Sequence, residues 1–565
     1  MPSRGNHGEG HGSGVDPGSA AARNRPAYGA RNVQKVAAGT GETLPGRSGL
    51  TVPVDQRCPI TGEEPGSGRG AGREPEAAVV PVGPAGQHNL LGGKGRCFVH
   101  AQAGRPGLVS AGVTASSTLA AVGGDRVRAL QHALYRAAKA SPERRFHSLR
   151  DKVYREDVLW RAWIAVRRNN GAPGIDKTTL ADVEEYGVTR LLGELAAELR
   201  AGTWRPMPAR KVLIPKPGSA ERRPLAIAAV RDRIVQAAVK IVLEPVFEAD
   251  FAPCSFGFRP RRSAHDALQV LIDEAWQGRR WVVETDIANC FSAIPHGKLM
   301  RAVEERISDQ GVLKLLRAML RAGVMEGGQV RREVTGAAQG GPASPLLCNI
   351  YLHRLDRVWD ARQHGVLVRY CDDLVVMCST RQQAEAALER LRFVLGGLGL
   401  ELKQAKTRIV HLTEDKDAEG FDFLGFHHRW VRARGTVKPS RVCFLARWPS
   451  RKAAQHARDR IRQITDRSRL LMADEWIVEE LNWFLRGWGG YFRYGNSARI
   501  FDAISQYALE RLAGFVGKRH KRSARWGMRL VTCASPDNLG LITLCGTVIA
   551  PRPFRPWRAP AERRR

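Results

Sequence analysis

Hydrophobic residues follow two different periods along this chain. From about residue 125 onward, segments such as RVRALQHALYRAAKA and SLRDKVYREDVLWRAWIAVRRN carry apolar residues at the i, i+3, i+4 spacing of amphipathic helices. Short β-rich runs interrupt them at residues 211–227, 281–283 and 366–377. The pattern predicts mixed helices and strands, one helix over residues 298–325, and a mostly helical region after about residue 438.

The run at residues 366–377, VLVRYCDDLVVM, is typical of a β-hairpin with two acids at its tip. Asp372 and Asp373 stand between two apolar stretches, and adjacent like charges in apolar surroundings are costly unless a cation offsets them. Aspartate is also a common turn former, so a solvated turn is the alternative interpretation.

A second β-rich run, WVVETDIANCFSAI, leads into Asp286 and is followed by Phe291. If this run and the hairpin pair in one sheet, Asp286 and Asp372 can share two metal ions about 4 Å apart. Carboxylates drawn from separate elements are the ligands that Mg²⁺ takes. Such a pair of ions serves phosphoryl transfer.

The charge of the chain indicates a polyanionic partner. Its 565 residues, enough for several domains, carry a formal net charge of +33 with a pI near 10.5. A basic disordered tail would be the plainer explanation, but Lys and Arg are spread through the segments predicted to fold. The sequence therefore predicts a nucleic-acid binder.

The cysteines and the amino terminus indicate the compartment. Ten cysteines are scattered without a C-x-x-C pair, which argues against a disulfide framework and against a structural zinc module. MPSRGNHGEG has no apolar signal region, and no stretch is long enough to span a membrane. We expect a cytoplasmic protein with no membrane partner.

Residues 1–124 are rich in Gly, Ala, Pro and Ser, and are predicted to be a disordered extension. A flexible RNA-binding arm is the alternative interpretation of this segment.

Basic residues mark two further candidate sites. In the predicted hairpin at residues 211–227, Lys216 and Arg223 could hold a triphosphate, although spacing alone favours a solvated basic hairpin. SFGFRPRRSAHDAL contains a basic cluster that would suit a template strand: Arg259, Arg261 and Arg262. The two phenylalanines beside it could stack on bases or belong to the hydrophobic core. One lysine after Leu402, Lys406, is a separate candidate. It could protonate a departing pyrophosphate or form a surface ion pair.

The carboxy-terminal third mixes cations with aromatic residues, a composition that suits RNA backbone tracking and base stacking. A helical bundle whose aromatics face its own core is the alternative. The candidate RNA contacts are Arg447, Arg451, Lys452, Arg486, Trp488, Tyr491 and Arg493.

Several motifs in order resemble those of group II intron-encoded reverse transcriptases and maturases. They are SFGFRPRRSAHDAL, Asp286 with Phe291, QGGPASPLLCNIYL, YCDD and LRGWGGYF, within residues 125–525. The resemblance implies an α+β right-hand polymerase, with fingers and palm at residues 125–435 around a small antiparallel sheet. A helical thumb or maturase domain would occupy residues 436–522. A basic tail would cover residues 523–565 without the zinc-dependent HNH endonuclease of many relatives.

The resemblance also implies an activity. It is RNA-directed DNA synthesis, with Asp286, Asp372 and Asp373 holding two Mg²⁺ ions. Phe291 would exclude ribonucleotides, and Gln339 would pack at the incoming nucleotide beside Lys216 and Arg223. The expected partners are intron RNA, an RNA template with a DNA primer, dNTPs and target DNA. Two alternatives stay open: a splicing-only maturase, and a domesticated or defence-associated reverse transcriptase without an intron.

Overall fold

The structure, a computed structural model, describes residues 113–215, 222–331, 334–336, 340–415, 419–433, 442–532 and 539–554, with the backbone alone before residue 126. The predicted extension at residues 1–124 therefore lies mostly outside the described residues. Its last part differs from the prediction, because helix α1 (Val113–Ala140) begins inside it. None of the described helices has the length and apolar composition needed to cross a bilayer.

A first, four-stranded sheet follows the amino-terminal helices. Its strand order is β2-β1-β4-β5, with β1 antiparallel to β2 and parallel to β4. The elements of this region are α1, α2 (Arg150–Val153), α3 (Glu156–Asn169), α4 (Leu180–Tyr186), α5 (Val188–Ala201), β1 (Ala209–Pro215), β2 (Arg222–Ile227), β4 (Val324–Glu326) and β5 (Gln329–Arg331).

A second sheet lies at the centre of the described chain and is antiparallel throughout, in the order β6-β7-β3-β8. Its strands are β3 (Trp281–Asp286), β6 (Val366–Tyr370), β7 (Asp373–Cys378) and β8 (Arg408–His411). Successive residues of a strand face opposite sides of its sheet. Along β7, Leu374 and Val376 therefore enter one hydrophobic core, and Val375 and Met377 enter another. Burial on both faces holds this sheet as a rigid platform.

The other helices of this region contact the strands of the central sheet or share its hydrophobic cores. They are α6 (Val230–Glu248), α7 (Ala264–Trp276), α8 (Cys290–Ala293), α9 (His296–Glu304), α10 (Gln310–Arg321), α11 (Ser344–Arg357), α12 (Ala361–His364) and α13 (Arg381–Leu398). The single helix predicted over residues 298–325 is wrong, because α9 and α10 are separate. Asp309 interrupts it: its carboxylate accepts hydrogen bonds from the amides of Gly311 and Val312 and so caps α10.

The last part of the chain adds a three-stranded sheet and a helical region. The strands, in the order β11-β10-β9, are β9 (Phe421–Phe423), β10 (Phe426–Arg432) and β11 (Cys443–Pro449), and the helices are α14 (Arg451–Ile464), α15 (Asp474–Phe492), α16 (Ala498–Arg519) and α17 (Ala524–Thr532). Residues 539–554 return along α15, where Asn482 bonds the carbonyl of Gly540 and the amide of Ile542. Small antiparallel sheets with helices, followed by a helical region, confirm the predicted α+β fold.

Candidate active site

Two aspartates lie side by side at one end of the central sheet. Asp286 is the last residue of β3, and the antiparallel register pairs it with Asp373, the first residue of β7. Residues paired in this way have Cα atoms about 4.5–5.5 Å apart, with their side chains on the same face. The register confirms the expectation that the two β-rich runs share a sheet. Like charges directly opposite each other are destabilising, so this pair favours a functional role.

Asp372 occupies the tight turn between β6 and β7. The pairing of Tyr370 with Asp373 closes the hairpin, and Cys371 adopts a left-handed conformation with φ 61°. Few non-glycine residues take up that conformation without a constraint. The carbonyl of Asp372 accepts a 3.1 Å hydrogen bond from the amide of Ile287, the residue after Asp286. The turn is therefore tied to the end of β3, and the three predicted acids meet at one edge.

Lys406 reaches this edge from the 3₁₀ turn Gln404–Lys406. Its Nζ atom donates a 2.5 Å hydrogen bond to Oδ2 of Asp286, and the amide of Lys403 bonds the Asp286 carbonyl at 2.8 Å. Burial lowers the pKa of Lys406, but the bond and charge of Asp286, with the charges of Asp373 and Asp372, outweigh burial and raise it. Lys406 is therefore a cation at neutral pH, with 48% of its side chain exposed.

The oxygen-rich edge suits a hard cation by its chemistry. Asp286, Asp372 and Asp373 supply carboxylate oxygens, the donors that Mg²⁺ takes, and the cross-strand pair places two of them together. Among the described residues, no group of three or more His, Cys, Asp or Glu side chains is arranged to hold a metal ion. The ammonium of Lys406 lies on Asp286 instead. The carboxylate oxygens are thus the right kind of donor for Mg²⁺. That all three aspartates bind it together stays a prediction.

Two of the four predicted nucleotide contacts lie in elements that the structure describes. Arg223 lies on β2, opposite Ile214 of β1, so the predicted basic hairpin is present. Phe291 is in the short helix α8 and is 6% exposed. Lys216 and Gln339 lie outside the described residues. The glycine after Gln339, Gly340, has φ 125°, and a Cβ there would lie 2.9 Å from the carbonyl of Ala226 in β2.

The three arginines of SFGFRPRRSAHDAL have different environments. Arg259 is buried, and its guanidinium bonds Glu248 and the carbonyls of Ala252 and Ser255. The prediction that Arg259 contacts a template is therefore wrong for this conformation, because its donors are used inside the protein. Arg261 is exposed, whereas Arg262 bonds the carbonyl of Pro253.

Comparisons with known proteins identify two domains. A model described as reverse transcriptase (RNA-dependent DNA polymerase) matches residues 214–428. A model described as the group II intron, maturase-specific domain matches residues 454–531. The first match spans the three aspartates and Lys406, and the second spans most of α14 and nearly all of α15–α17.

Three relatives are similar over half of the chain or more. Group II intron-encoded protein LtrA of Lactococcus lactis subsp. cremoris is 37% identical over 352 residues, 51% of this chain and 57% of LtrA. Protein YkfC of Escherichia coli K12 is 36% identical over 328 residues, 51% of this chain and 82% of YkfC. The chain belongs to the group II intron-encoded reverse transcriptases. An uncharacterized 91 kDa protein in the cob intron of Schizosaccharomyces pombe is 35% identical over 466 residues, 69% of this chain and 56% of that protein. The chain thus spans less than two thirds of LtrA and of the yeast protein.

This reverse transcriptase presents part of its predicted RNA surface to solvent. Arg451 and Lys452, at the start of α14, and Arg486 of α15 are exposed. Arg493 is half-buried, and its carbonyl accepts a bond from the amide of Ile549. Enzymes with a reverse transcriptase domain generally use divalent metal ions, and a maturase domain implies intron RNA as a partner.

Three other predicted RNA contacts of the reverse transcriptase have their side chains turned into the protein in this conformation. Arg447 is 2% exposed, bonds the carbonyl of Tyr494 and lies over the ring of Phe426. Trp488 is 1% exposed inside the helical core. The half-buried Tyr491 donates its hydroxyl to the carbonyl of Leu424. These contacts favour the bundle-core alternative for all three side chains.

Sequence reasoning missed Arg369, which stands in the strand before the aspartate turn of the reverse transcriptase. Its side chain is fully buried and pairs with Asp356 of α11 at 2.5 Å. An arginine inside an apolar strand, next to YCDD, is the one local signal. Its partner lies in another element and no spacing rule connects the two.

Proposed function

We propose that the chain is an RNA-directed DNA polymerase of a group II intron, which also binds its intron RNA as a splicing maturase and supports intron mobility. The cross-strand alignment of Asp286 with Asp373, beside Asp372, is the observation that supports polymerisation most directly. A protein that only assisted splicing would need none of these acids together, although like charges directly opposite each other are destabilising. A cytosolic protein acting on nucleoid DNA is part of the same proposal.

The reaction is attack by the 3′-hydroxyl of a DNA primer on the α-phosphorus of a dNTP, in line with the departing pyrophosphate. Asp286, Asp372 and Asp373 would hold two Mg²⁺ ions, which when bound activate the hydroxyl and neutralise the leaving group. Lys406 holds a proton on Nζ beside this edge and would give it to the pyrophosphate.

Nucleotide selection is assigned to the residues that surround this edge. Arg223, with Lys216, would hold the triphosphate from the basic hairpin, since guanidinium and ammonium groups pair with phosphate oxygens. Gln339 would pack at the nascent base pair. The ring of Phe291 would collide with a 2′-hydroxyl and so favour deoxynucleotides.

Template RNA is assigned to a basic cleft. Arg261 faces Arg128 and His132 of α1 across a cavity of about 570 Å³. Within the part of the chain that the structure describes, no carboxylate forms an ion pair with these three side chains. Phosphate groups would supply the missing negative charge. Intron RNA, the primer and target DNA would contact cations further along the chain: the exposed Arg451, Lys452 and Arg486, and the half-buried Arg493.

Two assays on one variant test the proposal. Asp372→Asn should abolish cDNA synthesis on an RNA template, while splicing of the RNA that flanks the reading frame stays largely intact. The carboxylate is needed for nucleotidyl transfer but not for RNA binding. Wild-type protein that splices but makes no cDNA would establish the splicing-only maturase instead. Flanking RNA without a group II ribozyme, together with active cDNA synthesis, would point to a domesticated enzyme.

A further inference from the structure

Arg369 makes an unusually complete set of contacts directly behind the aspartate turn. It lies on β6, two residues before Cys371, and none of its side chain is exposed. Its guanidinium donates to four groups from three parts of the chain: the carboxylate of Asp356 at 2.8 and 2.5 Å, Asn349 Oδ1 at 3.1 Å, Ser255 Oγ at 2.8 Å and the carbonyl of Cys371 at 3.1 Å.

The charge of this arginine is balanced locally. Burial opposes the cation, but the charge and hydrogen bonds of the equally buried Asp356 keep the pKa of Arg369 above its ordinary value. A buried ion pair is often no more stabilising than apolar residues of similar volume. Stability alone therefore does not account for this pair. The groups that the guanidinium holds in place indicate its role.

What it holds is the backbone of the turn. The bond from Nη1 to the carbonyl of Cys371 lies next to the left-handed conformation of that residue. Gly257 packs against the preceding peptide, so closely that a Cβ on it would lie 2.6 Å from the Cys371 amide nitrogen. Both peptide groups of Cys371, the second of which leads into Asp372, are therefore held. A strained backbone of this kind persists only where its surroundings impose it.

The same arginine joins the turn to the segment that carries Arg261. Its amide donates to the carbonyl of Cys254, and its carbonyl accepts from the amide of Phe256, both at 2.8 Å. The side-chain bond to Ser255 adds a third connection. Asn349 of α11, which accepts from the guanidinium, donates to the carbonyl of Gly257 at 2.7 Å. One buried network thus spans α11, residues 254–257 and the turn.

We propose that Arg369 is a positioning residue of the active site. Its guanidinium fixes the Cys371 carbonyl, and so sets the direction of the Asp372 carboxylate relative to Asp286 and Asp373. Asp356, Asn349 and Ser255 hold the guanidinium itself in place. The inference rests on the proposed polymerase function, and it adds a residue that touches neither substrate nor metal.

The test compares Arg369→Lys with Arg306→Lys in the full-length protein. Lysine keeps the charge opposite Asp356, but its single ammonium cannot reach all four partners. Arg306 is a matched control, because it is buried, pairs with Asp250 at 3.1 Å and bonds the carbonyl of Ala138, away from the turn. Thermal unfolding, primer-extension kcat and KM for template-primer, and calorimetric Mn²⁺ binding are measured for both.

Arg369→Lys should lower kcat and weaken Mn²⁺ binding by about 10- to 100-fold relative to Arg306→Lys, with KM unchanged. A residue that served only folding would move both variants together, so equal kcat and equal Mn²⁺ affinity would overturn the proposal. If Arg369→Lys does not fold, Ser255→Ala takes its place. We expect kcat and Mn²⁺ affinity of this variant to fall by about threefold to tenfold, and wild-type kcat and Mn²⁺ affinity would overturn the proposal. Wild-type protein without primer extension would refute the proposed function, while the Mn²⁺ comparison still decides the role of Arg369.

Discussion

The ammonium of Lys406 lies 2.5 Å from Oδ2 of Asp286, at the edge where Asp286 and Asp373 pair across two strands. Without nucleotide, this lysine supplies the positive charge that the acids require. When a nucleotide and its metal ions arrive, the same ammonium would be released toward the pyrophosphate. One side chain would thus serve as counter-ion in the first state and proton donor in the second.

Removing this ammonium should slow chemistry more than it weakens binding. We expect Lys406→Ala to lower the single-turnover rate of primer extension by about 100-fold, a typical contribution of general acid catalysis, with little change in dNTP affinity. Lys403→Ala is the matched control, because Lys403 bonds Asp286 through its backbone amide, which the substitution keeps. Equal rates for the two variants would contradict the catalytic role.

The ring of Phe291 should control the choice of sugar. Phe291→Val is expected to raise the efficiency of ribonucleotide incorporation relative to dNTPs by at least about tenfold, because the smaller side chain leaves room for a 2′-hydroxyl. Phe247→Val, at a buried position of α6, makes a similar cavity elsewhere and serves as control. Unchanged discrimination by Phe291→Val in primer extension would remove the residue from this role.

Two arginines separated by one residue should behave in opposite ways. Arg259→Ala leaves the carboxylate of Glu248 without its partner, so we expect a loss of about 3–5 kcal/mol in the free energy of unfolding. Arg261→Ala should change the free energy of unfolding by no more than about 0.5 kcal/mol. It should reduce the slope of log binding constant against log salt concentration by about the contribution of one phosphate contact. Urea unfolding measures the stability of both variants, and binding titrations over several salt concentrations measure the salt slope. An unchanged salt slope for Arg261→Ala would refute the proposal that the cleft binds template RNA.

The junction between α7 and the maturase helices should be sensitive to acid. Burial, followed by the charge of Arg447, lowers the pKa of His265 to about 4, and its ring packs against Tyr491 and Tyr494. Below about pH 6.5 the unfolded chain binds a proton that the folded chain refuses, so stability falls as the pH drops toward 4, by about 3 kcal/mol.

Urea unfolding of His265→Gln at pH 7 and pH 4.5 measures this contribution. The variant should lose less stability between the two pH values than wild-type protein, whereas His132→Gln, at an exposed position of α1, should follow wild type. Identical losses in all three proteins would show that His265 does not titrate as described.

Local patterns predicted the strands that carry the acids, and the register meets the condition that these strands pair in one sheet. The apolar runs before Asp286 and around Asp372 and Asp373 are short enough to be strands, and acids at the ends of paired strands necessarily meet. The break between α9 and α10 also had a local signal, since Asp309 is a typical helix N-cap residue that the periodicity argument overlooked. Features encoded within a few residues can thus be recovered from the sequence.

Features that depend on distant partners could not be predicted in this way. Arg259 and Arg261 are equivalent in the sequence, and only the position of Glu248 and the left-handed backbone of Arg261, φ 57°, separate them. Arg369 was hidden in an apolar strand because its partner, Asp356, comes from a helix. Burial of a charge is set by tertiary packing, which neither periodicity nor composition reports.

The central claim is that carboxylates at the end of β3 and β7 perform nucleotidyl transfer. Single-turnover primer extension by Asp286→Asn tests it most directly, with Glu284→Gln as control. Glu284 lies two residues earlier on β3 and pairs with Arg408 instead. We predict that Asp286→Asn loses at least about 1,000-fold in rate while Glu284→Gln stays within about threefold of wild type. A wild-type rate for Asp286→Asn would contradict the account.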